Sequence, residues 1–355
     1  MIQVFTNVRI DWLAKRRVFI GLSVLLMLAG LGSAVLRQLT PGGTEAFNLG
    51  VDFKGGTVVT TRFTRPVTAE AIRATLANQG LTEAVIQPVT DKADTFLIKL
   101  PLVGAEGDES GAQVELGRKK VGEALNSIGP EGTAYEIIGT DAVGAVAGAQ
   151  LRNKAIAATL AALVGILVYI AFRFEWTYGA AAVIAVFHDV LVTLGFFSIF
   201  QWEVNLTVIA ALLTLVGFSV NDTIVVFDRI RENRRLHRRE SLYKITNDSI
   251  NQTLSRTAIT NGLVFLSVLA MAIFGGEVLR GFSLALTVGV LVGTYSSIAV
   301  ASPIMVWWEQ RLEAADKAAA LGAAGTPATK SRTGGTTTKP EGVATGVAKR
   351  TRGTV

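Results

Sequence analysis

Cysteine is absent from the chain, and only two of its 355 residues are histidine. The first absence excludes thiol catalysis, disulfides and cysteine-ligated metals. The second, together with the lack of H-E-x-x-H, G-x-S-x-G and G-x-x-x-x-G-K-[ST] motifs, leaves no enzyme or cofactor signature, so the chain reads as a non-enzyme with no cofactor and no metal. Charge is also scarce, at 17% of residues, while half of the residues are hydrophobic. With a mean hydropathy of +0.44, this is a membrane composition.

Six stretches approach the roughly 20 apolar residues that cross a bilayer. They are Val18–Leu36, Ala155–Phe172, Thr177–Phe200, Leu206–Phe227, Thr257–Phe274 and Phe282–Trp307. Basic residues fix their direction. Lys15-Arg16-Arg17 precede the first stretch, eight Lys/Arg lie in Asp228–Arg256 and eight more in Glu309–Val355. Six crossings put all three groups on one side, which the positive-inside rule makes cytoplasmic, together with both termini. The segment Arg37–Gln150, with ten basic and fourteen acidic residues, then lies outside. The net charge of +6 is therefore a topology signal, and no basic folded domain with base-reading aromatics suggests nucleic acid. The 19-residue first stretch exceeds a signal-peptide core, so an uncleaved anchor is expected despite the cleavage-like Gly32-Ser33-Ala34.

The expected organisation is a cytoplasmic N-terminus (1–17), a first transmembrane helix (18–36), an extracytoplasmic domain (37–152), a five-helix bundle (153–308) with a cytoplasmic loop (228–256), and a disordered cytoplasmic tail (309–355). Within the outer segment the pattern predicts a strand over Gly50–Phe63 broken by a tight bend at Gly55-Gly56, and a Thr-capped helix over Thr68–Gln79. Strands over Ala84–Val89 and Thr95–Leu100, a helix over Gln113–Ile128 and a short strand over Tyr135–Ile138 follow. Strand, helix, strand, strand, helix, strand is the order of a ferredoxin-like α+β domain. Pro41–Gly43 and the Gly/Ala-rich Asp141–Gly148 read as flexible tethers on which it can swing. Gly289 and Gly293 have the small-xxx-small spacing of closely packed membrane helices. No internal repeat is visible, as expected of one half of a duplicated transporter.

The fourth span carries a carboxylate, Asp222, in "GFSVNDTIVVF". Counted from Leu206, it lies about 24 Å along the helix, inside the hydrocarbon but nearer the cytoplasm. Leaving it there uncompensated costs about 2.5–3.5 kcal/mol. Arg256, at the cytoplasmic mouth of the next span, is the nearest partner in sequence, either as a static staple or as half of a proton switch. His188 and Asp189, in the third span, either extend a relay or form a packed pair against Asn221 or Thr223. Asp189 and Asp222 sharing one water would make an aspartyl hydrolase, which Arg256 as a partner disfavours. The 228–256 loop reads as an orienting segment or as a surface amphipathic helix anchored by Leu242, Ile245 and Ile250.

Five stretches, in order, resemble the SecF members of the SecD/SecF family of bacterial protein-export proteins. They are "NLGVDFKGGT", "HDV", "GFSVNDTIVVFDRIREN", "NQTLSRTAIT" and "GGEVLRGFSLAL", and the likeness runs from Leu49 to Trp308. The resemblance implies membership of the resistance-nodulation-division superfamily, in the bacterial cytoplasmic membrane, with SecD supplying six further spans. It also implies work with the SecYEG channel, YajC and the SecA motor on exported preproteins, driven by the proton gradient. The family's proton-relay pair matches Asp222 and Arg256. Because the chain begins directly with the first span, the separate rather than the SecD-fused form is expected. A translocon scaffold without proton coupling, and a substrate exporter of the same superfamily, are the alternatives.

Overall fold

A computed structural model describes residues 9–40, 45–89, 92–101, 110–128, 135–173 and 175–324. The chain divides into two units, Met1–Gln310 and Arg311–Val355, and the described part of the second is helical. Six helical stretches are long and apolar enough to cross a membrane, and they overlay the six read from the sequence. They are built from α1 (Arg16–Leu39), α5 (Ala145–Arg173), α6 (Trp176–Phe200), α7 (Leu206–Leu236), α8 (Leu242–Phe274) and the last stretch, α9 (Gly276–Ser296), a π-helical turn (Ser297–Ala301) and α10 (Ser302–Ala324). Half or more of the apolar window is buried in α6, α7 and the last stretch, whereas α1, α5 and α8 turn most of theirs outward. A helix apolar all round but buried on one side leaves its other side for lipid.

Between α1 and α5 lies a sheet domain of β2 (Gly56–Phe63), α3 (Ala69–Asn78), β3 (Val85–Val89), β4 (Lys92–Leu100), α4 (Ser110–Leu125) and β5 (Tyr135–Val143). The strands run β3-β4-β2-β5, every neighbour antiparallel. Strand alternation sends Val59, Phe63, Phe96, Ile98 and Leu100 to one face, where Ile72 and Leu76 of α3 and Val121 and Leu125 of α4 close the core. Thr68 caps α3 as its sequence position predicts, accepting the Ala71 N–H at 3.3 Å. The last strand is longer than expected: the pairing steps from Thr60↔Gly139 to Thr61↔Ile137, so Ile138 is bulged out, half-exposed, and the alternation in sequence breaks there.

Two short elements precede β2: β1 (Asn48–Leu49) and a helical turn, α2 (Val51–Lys54). Gly55 and Gly56, at φ 81° and 141°, turn the chain from α2 into β2. A Cβ on Gly56 would lie 2.4 Å from the Leu100 carbonyl oxygen, so only glycine fits this bend. β1 pairs in parallel with β6 (Glu203–Val204), in the link between α6 and α7. Asp52 Oδ2 accepts the Leu206 N–H at the start of α7 at 3.0 Å, and Lys99 of β4 is ion-paired to Glu203. The domain is thus seated on the α6–α7 link. The tether expected at Asp141–Gly148 is corrected accordingly: β5 runs to Val143, α5 starts at Ala145, and Gly148 lies against the backbone of Phe53 and Gly55. The other expected tether, Pro41–Gly43, lies outside the described residues.

At the opposite end of the bundle, α7 and α8 run on past the apolar stretches, leaving only residues 237–241 between them. The surface amphipathic helix is therefore not formed. Ile245 and Ile250 are buried in the core with Leu242 packed against it, and Asn233 of α7 donates to Ser249 Oγ and Gln252 Oε1 of α8. Residues 9–15 form a clasp on the same end of α8. Asn247 Oδ1 accepts the Trp12 and Leu13 N–H groups, Asn251 Oδ1 accepts Trp12 Nε1–H, and Tyr243 Oη–H donates to Asp11 Oδ1. That hydroxyl above all, with the Ala14 N–H and the Asn247 amide, outweighs burial and holds the Asp11 carboxyl below its ordinary range. The tail expected from 309 is helical as far as Ala324; residues 325–355 lie outside the described part.

Candidate functional site

Apolar periodicity in α6 and α7 turns His188 and Asp189, and Ser219, Asp222 and Thr223, toward each other in the bundle interior, all at most 5% exposed. The α6 carboxylate is fully engaged. Asp189 Oδ1 receives His188 Nδ1–H at 2.9 Å, and Oδ2 receives the hydroxyls of Ser219 at 2.5 Å and Ser296 at 2.8 Å. Small residues permit this approach: a Cβ on Gly293 would sit 3.6 Å from Asp189 Oδ2, and one on Gly289 would strike Leu215 at 2.6 Å. Gly289 and Gly293 therefore do line a close helix contact, against α7.

Asp222 is held quite differently. Ser297 of the π-helical turn and Asn261 and Thr257 of α8 surround its carboxylate, and Asp189 is within electrostatic reach. Yet Oδ2 is buried with no hydrogen-bonding partner, and so are Thr257 Oγ1 and His188 Nε2. Buried polar atoms in a folded protein are normally paired, and these three lie close together around the two acids.

The ion pair expected between Asp222 and Arg256 is not formed in this structure. The face of α8 turned to Asp222 is that of Thr257 and Asn261, four residues apart, and Arg256, one residue off it, is exposed. Nor does Asn221 join the site; its side chain is exposed on the far side of α7, and the α7 partner of Asp189 is Ser219. The facing dyad with a shared water is not present either, because both Asp189 oxygens are taken by other donors. The sequence reading missed Ser219, Ser296, Ser297 and Asn261, since hydroxyls and amides in an apolar span carry no motif. Their only signal is a polar side chain recurring at helical spacing beside the acids. Among the described residues no cluster of His, Asp and Glu fit for a metal occurs.

Helices apolar enough to span a bilayer, a sheet domain seated on one end and two buried carboxylates in the middle define a polytopic membrane protein with an ionisable interior. Its family follows from sequence. Residues 122–311 match the SecD/SecF C-terminal model of protein export membrane proteins and residues 43–67 match the SecD/SecF GG motif. The chain belongs to the SecD/SecF family of protein export membrane proteins. It is 40% identical to the protein translocase subunit SecF of Koribacter versatilis, covering 87% of this chain and 94% of the relative, and 42% identical to that of Escherichia coli O157:H7, covering 80% and 83%. A crystal structure of SecDF from Thermus thermophilus, titled a translocon-associated membrane protein, superposes with a TM-score of 0.70 at 38% identity. That match covers 86% of this chain and only 39% of the SecDF chain.

Proposed function

We propose that the chain is a translocase subunit that couples the proton gradient to protein export by the Sec pathway, with Asp222 as the proton-binding group. The observation that carries this reading is the contrast between the two acids: Asp189 is held by three donors, whereas Asp222 is buried with an unpaired oxygen. An acid kept there at a cost of about 2.5–3.5 kcal/mol without a fixed partner is suited to exchanging a proton. Arg256 serves as its switchable counter-charge, because a rotation of α8 by one residue, about 100°, would replace Thr257 by Arg256. His188 and Asp189 form the secondary group of the relay.

Several further assignments belong to this reading. The sheet domain is of the ferredoxin-like class, its four-strand order being that of two interleaved strand-helix-strand units. It faces outside, and the 228–256 segment and both termini face the cytoplasm, as the distribution of Lys and Arg requires. SecD is the partner half, supported by a SecDF relative in one chain of which this one covers 39%. SecYEG, YajC, SecA and the preprotein are the remaining partners in the bacterial inner membrane.

Asp222→Asn tests the reading in vesicles that hold the chain with SecD and SecYEG. Gradient-driven export of a preprotein should fall at least about tenfold while the complex still assembles, a loss of about 1.4 kcal/mol or more of coupling. Undiminished export would favour a scaffold, and failure to copurify SecD or SecYEG would favour a substrate exporter.

A further inference from the structure

The π-helical turn lies beside both acids, and the hydroxyls at its entry, Ser296 at the end of α9 and Ser297 at the start of the turn, are shared between them. Ser296 Oγ is 2.8 Å from Asp189 Oδ2 and also 3.1 Å from the Gly293 carbonyl oxygen. Ser297 Oγ donates to that same carbonyl at 2.8 Å, and its hydroxyl is one of the groups surrounding Asp222. The backbone N–H of Ser297 points to the Gly293 oxygen as well. Three donors therefore converge on an oxygen with two lone pairs. Each serine has a single proton and two acceptors: an acid, or Gly293.

Resting on the proton-coupling reading above, we propose that Ser296 and Ser297 are positioning residues that make Asp189 and Asp222 share one proton by competing for the Gly293 carbonyl. In the arrangement observed, Ser296 donates to Asp189, Ser297 is left with Gly293, and Asp222 Oδ2 is unpaired. When Asp189 takes up a proton, Ser296 turns to Gly293 and displaces Ser297, whose hydroxyl then donates to Asp222 as that acid releases its proton. One proton enters and one leaves, so the site passes a proton without changing its charge. The π register allows adjacent residues of one helix to serve two acids. Single-turn π segments are rare and recur at functional sites, and here Ser302 Oγ adds a bond to the Ser297 carbonyl at 2.9 Å. Few other charges intrude. His188 on α6 is the titratable neighbour, no residue from Thr257 to Phe274 or from Phe282 to Ala301 is charged, Arg256 of α8 is exposed, and Tyr295 turns its hydroxyl to Phe19 O of α1.

The test is an infrared titration of the buried carboxyl groups in the full chain reconstituted with SecD. Asp189→Asn should shift the Asp222 midpoint by about one pH unit, tenfold in proton affinity. In the Ser296→Ala/Ser297→Ala background the same substitution should shift it less than about threefold, and Ser296→Thr/Ser297→Thr, which keeps both hydroxyls, should restore the full shift. Should the alanine pair misfold, Ser297→Ala alone carries the same expectation. An equal Asp189→Asn shift with and without the hydroxyls, or none in either, overturns the proposal. If export is lost in Asp222→Asn while the shift is equal in both backgrounds, only the shared proton is refuted. Export surviving in Asp222→Asn would refute the reading beneath it.

Discussion

How firmly a carboxylate is held depends on its donors, and the chain holds both extremes. Asp189 and Asp11 each collect three side-chain or backbone donors; Asp222 Oδ2 collects none. Asp11 lies outside the membrane-spanning stretches, and its ionised form is the one that Tyr243 and Asn247 hold. A folded-state value below the unfolded one means that its contribution is fully present at neutral pH and is lost as pH falls through the depressed value. The clasp of residues 9–15 on α8 should thus keep its amide protection down to about pH 4 and loosen below it. Asp11→Asn should flatten that dependence, as hydrogen exchange at Trp12–Ala14 corrected for intrinsic rates would show. At this scale Asp222 and Asp189 were legible because a charge in an apolar run is conspicuous. Ser296, Ser297 and Asn261 were not, because polar residues of this size are common in membrane helices and only packing shows which of them point at an acid.

Among the elements, one close helix crossing escaped the sequence pattern. Gly30 of α1 and Gly195 of α6 meet backbone to backbone, and a Cβ on Gly30 would come within 2.5 Å of Gly195 Cα. Gly30 has Ala34 four residues on, but Gly195 has Leu191 and Ile199 at that spacing, so its helix gives no small-xxx-small sign of the contact, whereas Gly289 and Gly293 could be read four residues apart. Gly30→Ala should force α1 off α6 at a cost of about 1–3 kcal/mol, lowering the thermal midpoint in detergent, while Gly32→Ala, whose Cβ meets open space, should leave it unchanged. Spans and the chain order of strands and helices were legible because apolar length and alternation set them directly, although the strand expected over Gly50–Phe63 starts only at Gly56, the residues Val51–Lys54 being a helical turn. The π-helical turn was not, since it adds one residue to a helix without any compositional sign. The reach of α7 and α8 beyond the lipid-length stretches was hidden too, because a polar interface such as Asn233 with Ser249 and Gln252 looks, in sequence, like a loop.

Taken whole, the sheet domain and the bundle are joined by more than the covalent chain. The α7 N-terminus is closed twice, by Asn205 accepting the Val208 N–H and by Asp52 from the sheet domain accepting that of Leu206. Removing the second acceptor in Asp52→Ala should cost about 1 kcal/mol, from the lost cap and the lost negative charge at a helix start. Exchange should rise at residues 48–52 and 203–206 while the β2–β5 ladder stays protected. The docking could not be read from the sequence, because it pairs β1 with β6 across some 150 residues, and a two-residue parallel pair leaves no periodic trace.

The 31 residues of α7 form one uninterrupted rod, about 46 Å from end to end. One extremity is bolted to the sheet domain, Asp222 sits near the midpoint, and the other extremity is tied through Arg234 to Glu309. Pivoting such a rod by about 5° displaces its tip by about 4 Å, so a tug on the sheet domain is felt as leverage at the acid and beyond it.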